Sequence, residues 1–291
     1  MVSVDFALLP VYKPSGWTST DVINFLKKKF RLRRVGHTGT LDPFAEGVLL
    51  ILLGKATRLA EYYQRLPKSY RAVGVLGLDT DTYDKTGKVL DEKEIPAMSR
   101  EDFEKIVKSF RGKYLQTPPP FSAKKVKGVR AYKLARRGEK PTLKPVEVDI
   151  YDIKLLKFQP PKFEIETTVS GGTYIRSLIR DIGLKAGTVA TTDKLVRTSV
   201  GNIGLNETVN VEFLKEIDDL TEFLKPPDYG LSPYPKASLT DEEVKRFING
   251  VKIPVNLEEG IYRIYDERGS FIAMGSITRG ILKPEKVFIS L

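Results

Sequence analysis

The chain has 291 residues, 41% hydrophobic and 10% aromatic, which is enough for a sizeable core and for one large unit plus a small one. It has no cysteine and one histidine, which excludes disulfides, thiolate nucleophiles and cysteine-ligated zinc, and with them zinc-dependent base deamination. The net charge of +11 is concentrated: Arg111 to Lys144 holds eleven Lys or Arg against Glu139 alone, while the remainder holds thirty-seven basic and thirty-six acidic residues. A polyanion partner is expected for that segment, and RNA, DNA or an acidic protein would each satisfy it.

In chain order, Ser19, Thr20 and Asp21 offer caps ahead of Val22, Phe25, Leu26 and Phe30, whose spacing predicts a helix near residues 20–30. GHTGTLDPFAEGVL, Gly36–Leu49, then sets a carboxylate and the only histidine on a glycine-bounded loop. Gly36, Gly39 and Gly47 permit unusual backbone angles and close approaches, and Pro43 fixes the turn after Asp42. Such a loop can hold an acid against a bulky ligand, which makes Asp42 the first candidate for chemistry. The structural alternative is an Asx turn capping Val48–Leu53. That run, the longest aliphatic stretch, is far short of the roughly 20 residues that span a bilayer. The N-terminus lacks a secretory pattern, so a cytoplasmic protein without a membrane partner is expected. A P-loop is disfavoured because Gly47 and Gly54-Lys55 are wrongly spaced and Ala56 takes the hydroxyl position.

Lys55–Leu66 reads as helix and Tyr70–Leu78 as a strand with Tyr70, Ala72 and Gly74 on one face. Ser99 and Asp102 resemble a capping box before Phe103, Ile106, Val107 and Phe110, and Gly112 suits the stop. Pro118, Pro119 and Pro120 open an insertion, about residues 112–144, that passes through Gly128 into a short helical stretch, Val129–Arg137. Val146–Lys157 and Lys162–Ser170 alternate like an antiparallel pair around Pro160-Pro161. After Gly171 and Gly172 a helix is expected with Ile175, Leu178, Ile179 and Ile182 as its apolar stripe, and Arg176 and Arg180 pointing away from its centre. Prolines 226, 227, 233 and 235 mark a linker, followed by a helix near Asp241–Asn249 and the strands IYRIYD, SFIAMG and KVFISL.

The Gly36–Leu49 stretch matches G-H-x-G-x-L-D-P-x-A-x-G-x-L at every fixed position. Five further blocks keep their order around it: KPSGWTSTD from Lys13, KSYRAVGVLG from Lys68, QTPPPFSAKKVKGVRAYKLARRG from Gln116, GTYIRSLIRDIG from Gly172 and LVRTSVG from Leu195. On these residues the chain resembles the tRNA pseudouridine synthase B (TruB) family over roughly residues 8 to 201, and its tail resembles the PUA domains of RNA-modifying enzymes. One departure is Val189–Thr192, VATT, where an Ala-His-Leu-like run is the family habit.

The resemblance implies an α+β fold: a mixed, largely antiparallel sheet with flanking helices, an inserted basic arm, and a small β-rich unit. Residues 1–230 would form the catalytic domain and residues 231–291 the PUA-like one. It implies isomerisation of uridine 55 in the tRNA T-loop to pseudouridine, after the base is swung out of its stack, with no metal or other cofactor. Asp42 would act as nucleophile or base, Arg176 would pair with it, and Tyr70 would stack on the base. Leu195 would pack near the site, His37 would orient the flipped nucleotide or its phosphate, and Lys13, grouped with these two as substrate-binding, would with Pro14 support the tyrosine. On the arm, Lys124, Lys127, Arg130, Lys133, Arg136 and Arg137 would neutralise phosphates of the T-stem-loop. A monomer without an obligatory protein partner is expected. Two alternatives are an RNA-guided synthase of a ribonucleoprotein, which has a shorter connection at Gln116–Gly138, and a non-catalytic tRNA-folding protein.

Overall fold

The computed structural model describes residues 3–289, except 123, 127, 136, 140 and 141. Strand β1 (Phe6–Lys13) leads to helix α1 (Ser19–Lys29), which starts earlier than its sequence caps suggest. Thr18 is the N-cap, because its hydroxyl and the Asp21 carboxylate close a reciprocal capping box. Strands β2 (Val35–His37) and β3 (Glu46–Gly54) flank the glycine-bounded loop. Over Lys55–Leu66 a 3-10 turn precedes α2 (Ala60–Arg65), since the Thr57 hydroxyl bonds back to the Gly54 carbonyl at 2.9 Å and tightens the first turn.

Strand β4 (Lys68–Leu76) ends two residues before the expected limit, at the left-handed Gly77, and β5 (Leu78–Thr80) pairs with β6 (Val89–Glu92). Helix α3 (Arg100–Lys108) and β7 (Gly112–Gln116) precede the arm, which contains β8 (Lys125–Val126), β9 (Val129–Arg130) and α4 (Ala131–Ala135). The expected antiparallel pair is β10 (Val146–Gln159) with β11 (Lys162–Val169), followed by α5 (Ile175–Lys185). Next come β12 (Ala190–Val200), β13 (Ile203–Gly204), β14 (Val209–Asn210) and α6 (Val211–Glu216). The tail holds β15 (Lys236–Ser238), α7 (Asp241–Ile248), β16 (Ile253–Pro254), β17 (Gly260–Tyr265), β18 (Phe271–Thr278) and β19 (Ile281–Val287). β19 takes in only Lys286 and Val287 of the expected KVFISL strand, whose last two residues lie outside the described ones, and Phe288 packs on Phe6 with ring centroids 4.9 Å apart.

The main sheet runs β14-β1-β3-β12-β4-β11-β10-β7, antiparallel except at β1/β14 and β3/β12, so the α+β, mostly antiparallel expectation matches the structure. A second sheet runs β15-β17-β18-β19-β16. The VLLILL run is apolar at every position because both faces of β3 are covered. Leu49, Ile51 and Leu53 join the cluster containing Val22 and Leu26 of α1, while Val48, Leu50 and Leu52 join one that reaches Met274 and Phe288 of the tail. Helix α5 seats on the sheet where Gly74 leaves space: a Cβ there would lie 2.3 Å from the Phe163 ring and 3.0 Å from Ile179. Among the described residues, no helix is long and apolar enough to cross a membrane.

Candidate functional site

The loop carrying Asp42 is held at nearly every residue by segments that precede it or come much later in the chain. Ser19 Oγ accepts the Leu41 N–H at 2.9 Å, Gly16 N–H donates to the Pro43 carbonyl at 2.8 Å, and Ser15 Oγ donates to the Phe44 carbonyl at 3.0 Å. Arg197 on β12, 1% exposed, spans the loop's two ends by donating to the Gly39 carbonyl at 3.2 Å and the Val48 carbonyl at 2.7 Å. Of the three glycines expected to matter, only Gly47 has a left-handed φ, +106°, and a Cβ on it would meet the Arg197 carbonyl oxygen at 2.3 Å. Parallel pairing of β3 with β12 therefore requires glycine there. Fixing this many loop groups orients a carboxylate before any ligand arrives.

Arg176 lies off the centre of the apolar stripe of α5, yet it is only 4% exposed, because its side chain is turned inward across the site. Its Nη2 donates to Asp42 Oδ1 at 2.9 Å, and Nε lies 2.8 Å from Oδ2 without the direction of a hydrogen bond. A third of the Asp42 side chain remains exposed, so a ligand can reach the carboxylate. The Asx-turn alternative is not what forms, since this side chain bonds to Arg176. The other side of the guanidinium meets a second acid, buried Asp84, with Nη1 3.3 Å from its Oδ2. Nη1 also donates to the Thr82 carbonyl at 2.7 Å, and Nη2 to the Phe121 carbonyl at the root of the arm at 3.0 Å. Asp84 Oδ1 in turn accepts from the Thr86 N–H and hydroxyl. Burial pushes the Asp42 carboxyl above its ordinary range; the Arg176 charge opposes this and the Asp84 charge adds to it.

The departure at Val189–Thr192 sits against this acid. Thr192 accepts the Lys85 N–H at 2.9 Å and donates its own N–H to the Tyr83 carbonyl at 3.1 Å, clamping the turn that carries Asp84.

Cross-strand register brings the remaining expected residues close. Gly47, Arg197, Tyr70 and Thr167 face one another in a row across four strands, and Leu195 pairs with Ala72. Tyr70 and Leu195 share an apolar cluster with Leu41 and Phe44 on either side of Asp42. His37 accepts the Gly39 N–H through Nδ1 at 3.2 Å, and burial followed by the nearby Arg197 charge lowers its pKa, which favours a neutral ring with its proton on Nε2, where no partner lies among the described residues. Lys13 differs from expectation: it is fully buried and cannot face a substrate. Its ammonium donates to the carbonyls of Trp17 at 2.5 Å, Pro14 at 2.9 Å and Pro43 at 3.4 Å, tying β1 and the following turn to the residue after Asp42. Burial lowers its pKa to about 8, against the opposing pull of Asp42.

Lys68, 6% exposed, donates to the carbonyls of Gln64 and Leu66 at 2.9 and 2.8 Å, and burial followed by the Arg197 charge lowers its pKa to about 7. Between that value and the ordinary 10.5, the unfolded chain binds more protons than the folded one, so stability contributed through this residue rises with pH. Denaturant unfolding of wild type and Lys68→Met at about pH 6.5 and 9.5 should show wild type gaining on the variant with pH, by at most about 1.4 kcal/mol per unit. Curves that stay parallel would refute the assignment.

On the arm, Lys124, Lys133 and Arg137 are exposed, Arg130 ends β9, and Lys127 and Arg136 lie outside the described residues. Sequence reasoning missed Asp84 and the role of Arg197. The first stands in an acid- and threonine-dense stretch, DTDTYD from Asp79, and the second in the quoted LVRTSVG block. Among the described residues, no group of three or more His, Asp or Glu is placed to hold a metal ion.

Residues 27–175 match the family model of the TruB family pseudouridylate synthase N-terminal domain, and residues 235–288 match that of the pseudouridine synthase II TruB C-terminal region. The tRNA pseudouridine synthase B of Aquifex aeolicus is 40% identical over 290 residues, covering 98% of this chain and all of that protein. The protein of the same name from Thermosipho melanesiensis is 45% identical over 245 residues, covering 83% and 79%. A chain in the crystal structure of a Cbf5-Nop10-Gar1 complex superposes with a TM-score of 0.77 at 25% identity, over 98% of this chain and 86% of that one.

Proposed function

The chain belongs to the TruB family of pseudouridylate synthases, and from that membership we propose that it isomerises uridine 55 in the T-loop of tRNA, with Asp42 as the reacting carboxylate. The observation that carries this reading is an acid one-third open to ligand, held in place by a buried guanidinium. The N1–C1′ glycosidic bond breaks, the base turns, a C5–C1′ bond forms, N1 gains a proton and the C5 proton leaves to solvent. Ionised Asp42 attacks the nucleotide or takes a ribose proton, and Arg176 keeps it charged in a poorly hydrated site.

A stacked uridine hides its glycosidic bond, so the base must be everted at a cost of a few kcal/mol, with Tyr70 and Leu195 as the wall that receives it. His37 Nε2–H is available to orient the nucleotide or its phosphate. Lys13 is a positioning residue for the Asp42 loop. The cations of the 112–144 arm hold the stem, and residues 231–291 form a second, PUA-like RNA-binding unit. The length of the Gln116–Gly138 connection supports a stand-alone enzyme over an RNA-guided one. The test is tritium release from a T-stem-loop transcript made with 5-tritiated uridine. Release is expected from the target position only, and a transcript with cytidine at position 55 that releases as much would refute the site assignment.

A further inference from the structure

We propose that the Phe30–Arg34 loop, together with the end of α1, is a second phosphate-binding surface that takes the sugar-phosphate backbone of the tRNA outside the target loop. The proposal rests on the tRNA reading above. Residues 22–41 contain six Lys or Arg, all within 27–34, and no Asp or Glu. Balance over the whole chain conceals this cluster, because an excess of acids elsewhere cancels it.

Lys29 pairs with Asp218 at 3.0 Å, while Lys27, Lys28, Arg31, Arg33 and Arg34 have no carboxylate within 4 Å among the described residues. Exposed cations elsewhere commonly find one, as Arg71 does with Glu164 and Glu166, and Lys113 with Glu147. Lysines in the last turn of a helix are ordinary partners of its dipole, which accounts for residues 27–29. The three arginines lie beyond the helix and have no such role.

Arg31 has φ +52° at the position that closes α1, where the Leu32 N–H returns to the Lys27 carbonyl at 3.1 Å. Glycine is the usual residue at such a C-cap, and keeping a side chain there costs about 1 kcal/mol. Arg31, Arg33 and Arg34 line a surface cleft of about 250 Å³, with Asp5 as its one carboxylate. That volume is below the roughly 300–1,000 Å³ of small-molecule pockets and suits a phosphate group. The Arg34 carbonyl accepts the Gly54 N–H at 2.8 Å, so the loop is fastened to the main sheet. Strand β2 pairs antiparallel with β3 from Val35/Leu53 to His37/Ile51, which sets these arginines at the Gly54 end of β3, about 23 Å along the strand from Gly47 beside the Asp42 loop, so backbone bound here lies outside the loop whose base enters the site.

The test compares wild type with the triple variant Arg31→Gln, Arg33→Gln, Arg34→Gln for binding full-length tRNA transcript over about 50 to 300 mM salt, alongside Arg31→Lys, Arg33→Lys, Arg34→Lys. Each lost phosphate contact flattens the log-log salt dependence by about 0.9 for a duplex. The glutamine variant is therefore expected to bind more weakly with a slope shallower by about 2 to 3, and the lysine variant to keep most of the wild-type slope. Coincident slopes for wild type and the glutamine variant overturn the proposal. So does a glutamine variant that loses adhesion to phosphatidylserine vesicles while binding tRNA like wild type, since the surface would then serve a membrane. Failure of the tRNA reading shows separately, as absent tritium release by wild type.

Discussion

Asp42→Asn is expected to lower tritium release from the T-stem-loop by about a thousandfold or more while tRNA binding stays within a few-fold of wild type. The amide has the shape of the acid and its oxygen can still accept the Arg176 Nη2 bond seen at 2.9 Å, while its NH2 replaces the Oδ2 that lies 2.8 Å from Nε and shifts slightly to part the two donors. It has no negative oxygen to attack the nucleotide or take a ribose proton. Arg176 is not stranded as a lone buried charge, because Asp84, Thr82 and Phe121 still accept from it. Loss of turnover should therefore come without loss of fold, which thermal unfolding of the variant checks directly. Unchanged turnover would remove Asp42 from the chemistry, and equal loss of turnover and binding would make it a binding residue.

Asp84→Asn is expected to reduce turnover by about ten- to a hundredfold, the kinetic equivalent of weakening one buried hydrogen bond to a charged group, worth about 1.5–3 kcal/mol. Asp84 is buried and pairs with Arg176, which in turn pairs with Asp42, so its role on this reading is to position the guanidinium. A purely structural lesion could also slow the enzyme, so the deciding measurement is the pH profile of kcat/KM. On the proposed mechanism Asp42 reacts in its ionised form, and burial raises its pKa, with the Asp84 charge adding to the rise. Activity accordingly falls as pH drops through that raised value. Removing the Asp84 charge moves the acid limb to lower pH even as the plateau drops. A limb that stays in place or moves upward would show that Asp84 does not act on Asp42 in this way.

Local features were legible wherever the chain's own pattern forces the outcome. The stripe of Ile175, Leu178, Ile179 and Ile182 specifies α5, because only helical spacing puts those residues on one face. The alternation before and after Pro160-Pro161 specifies β10 and β11 for the corresponding reason. Errors of one or two residues arose where a side chain chose between equivalent local bonds, as Thr18 did in capping α1. Lys13 was misread because one lysine looks the same whether its ammonium meets a ligand or three backbone carbonyls. Counting charge over long segments hid the 27–34 cations, since electrostatics acts over roughly a Debye length and not over a chain total.

The sequence by itself determined the family, the elements, the basic arm and a glycine-bounded loop with an acid at its turn, because each is written in neighbouring residues whose sterics and hydropathy act locally. Only the tertiary structure decided that Arg176 stands between Asp42 and Asp84, and that Arg197 holds both ends of the loop. These contacts join residues 92 to 158 positions apart, made adjacent when β12 enters between β3 and β4 and α5 packs over the sheet. A charge's partner depends on burial and distance in space, and neither quantity exists until the sheet has closed around it.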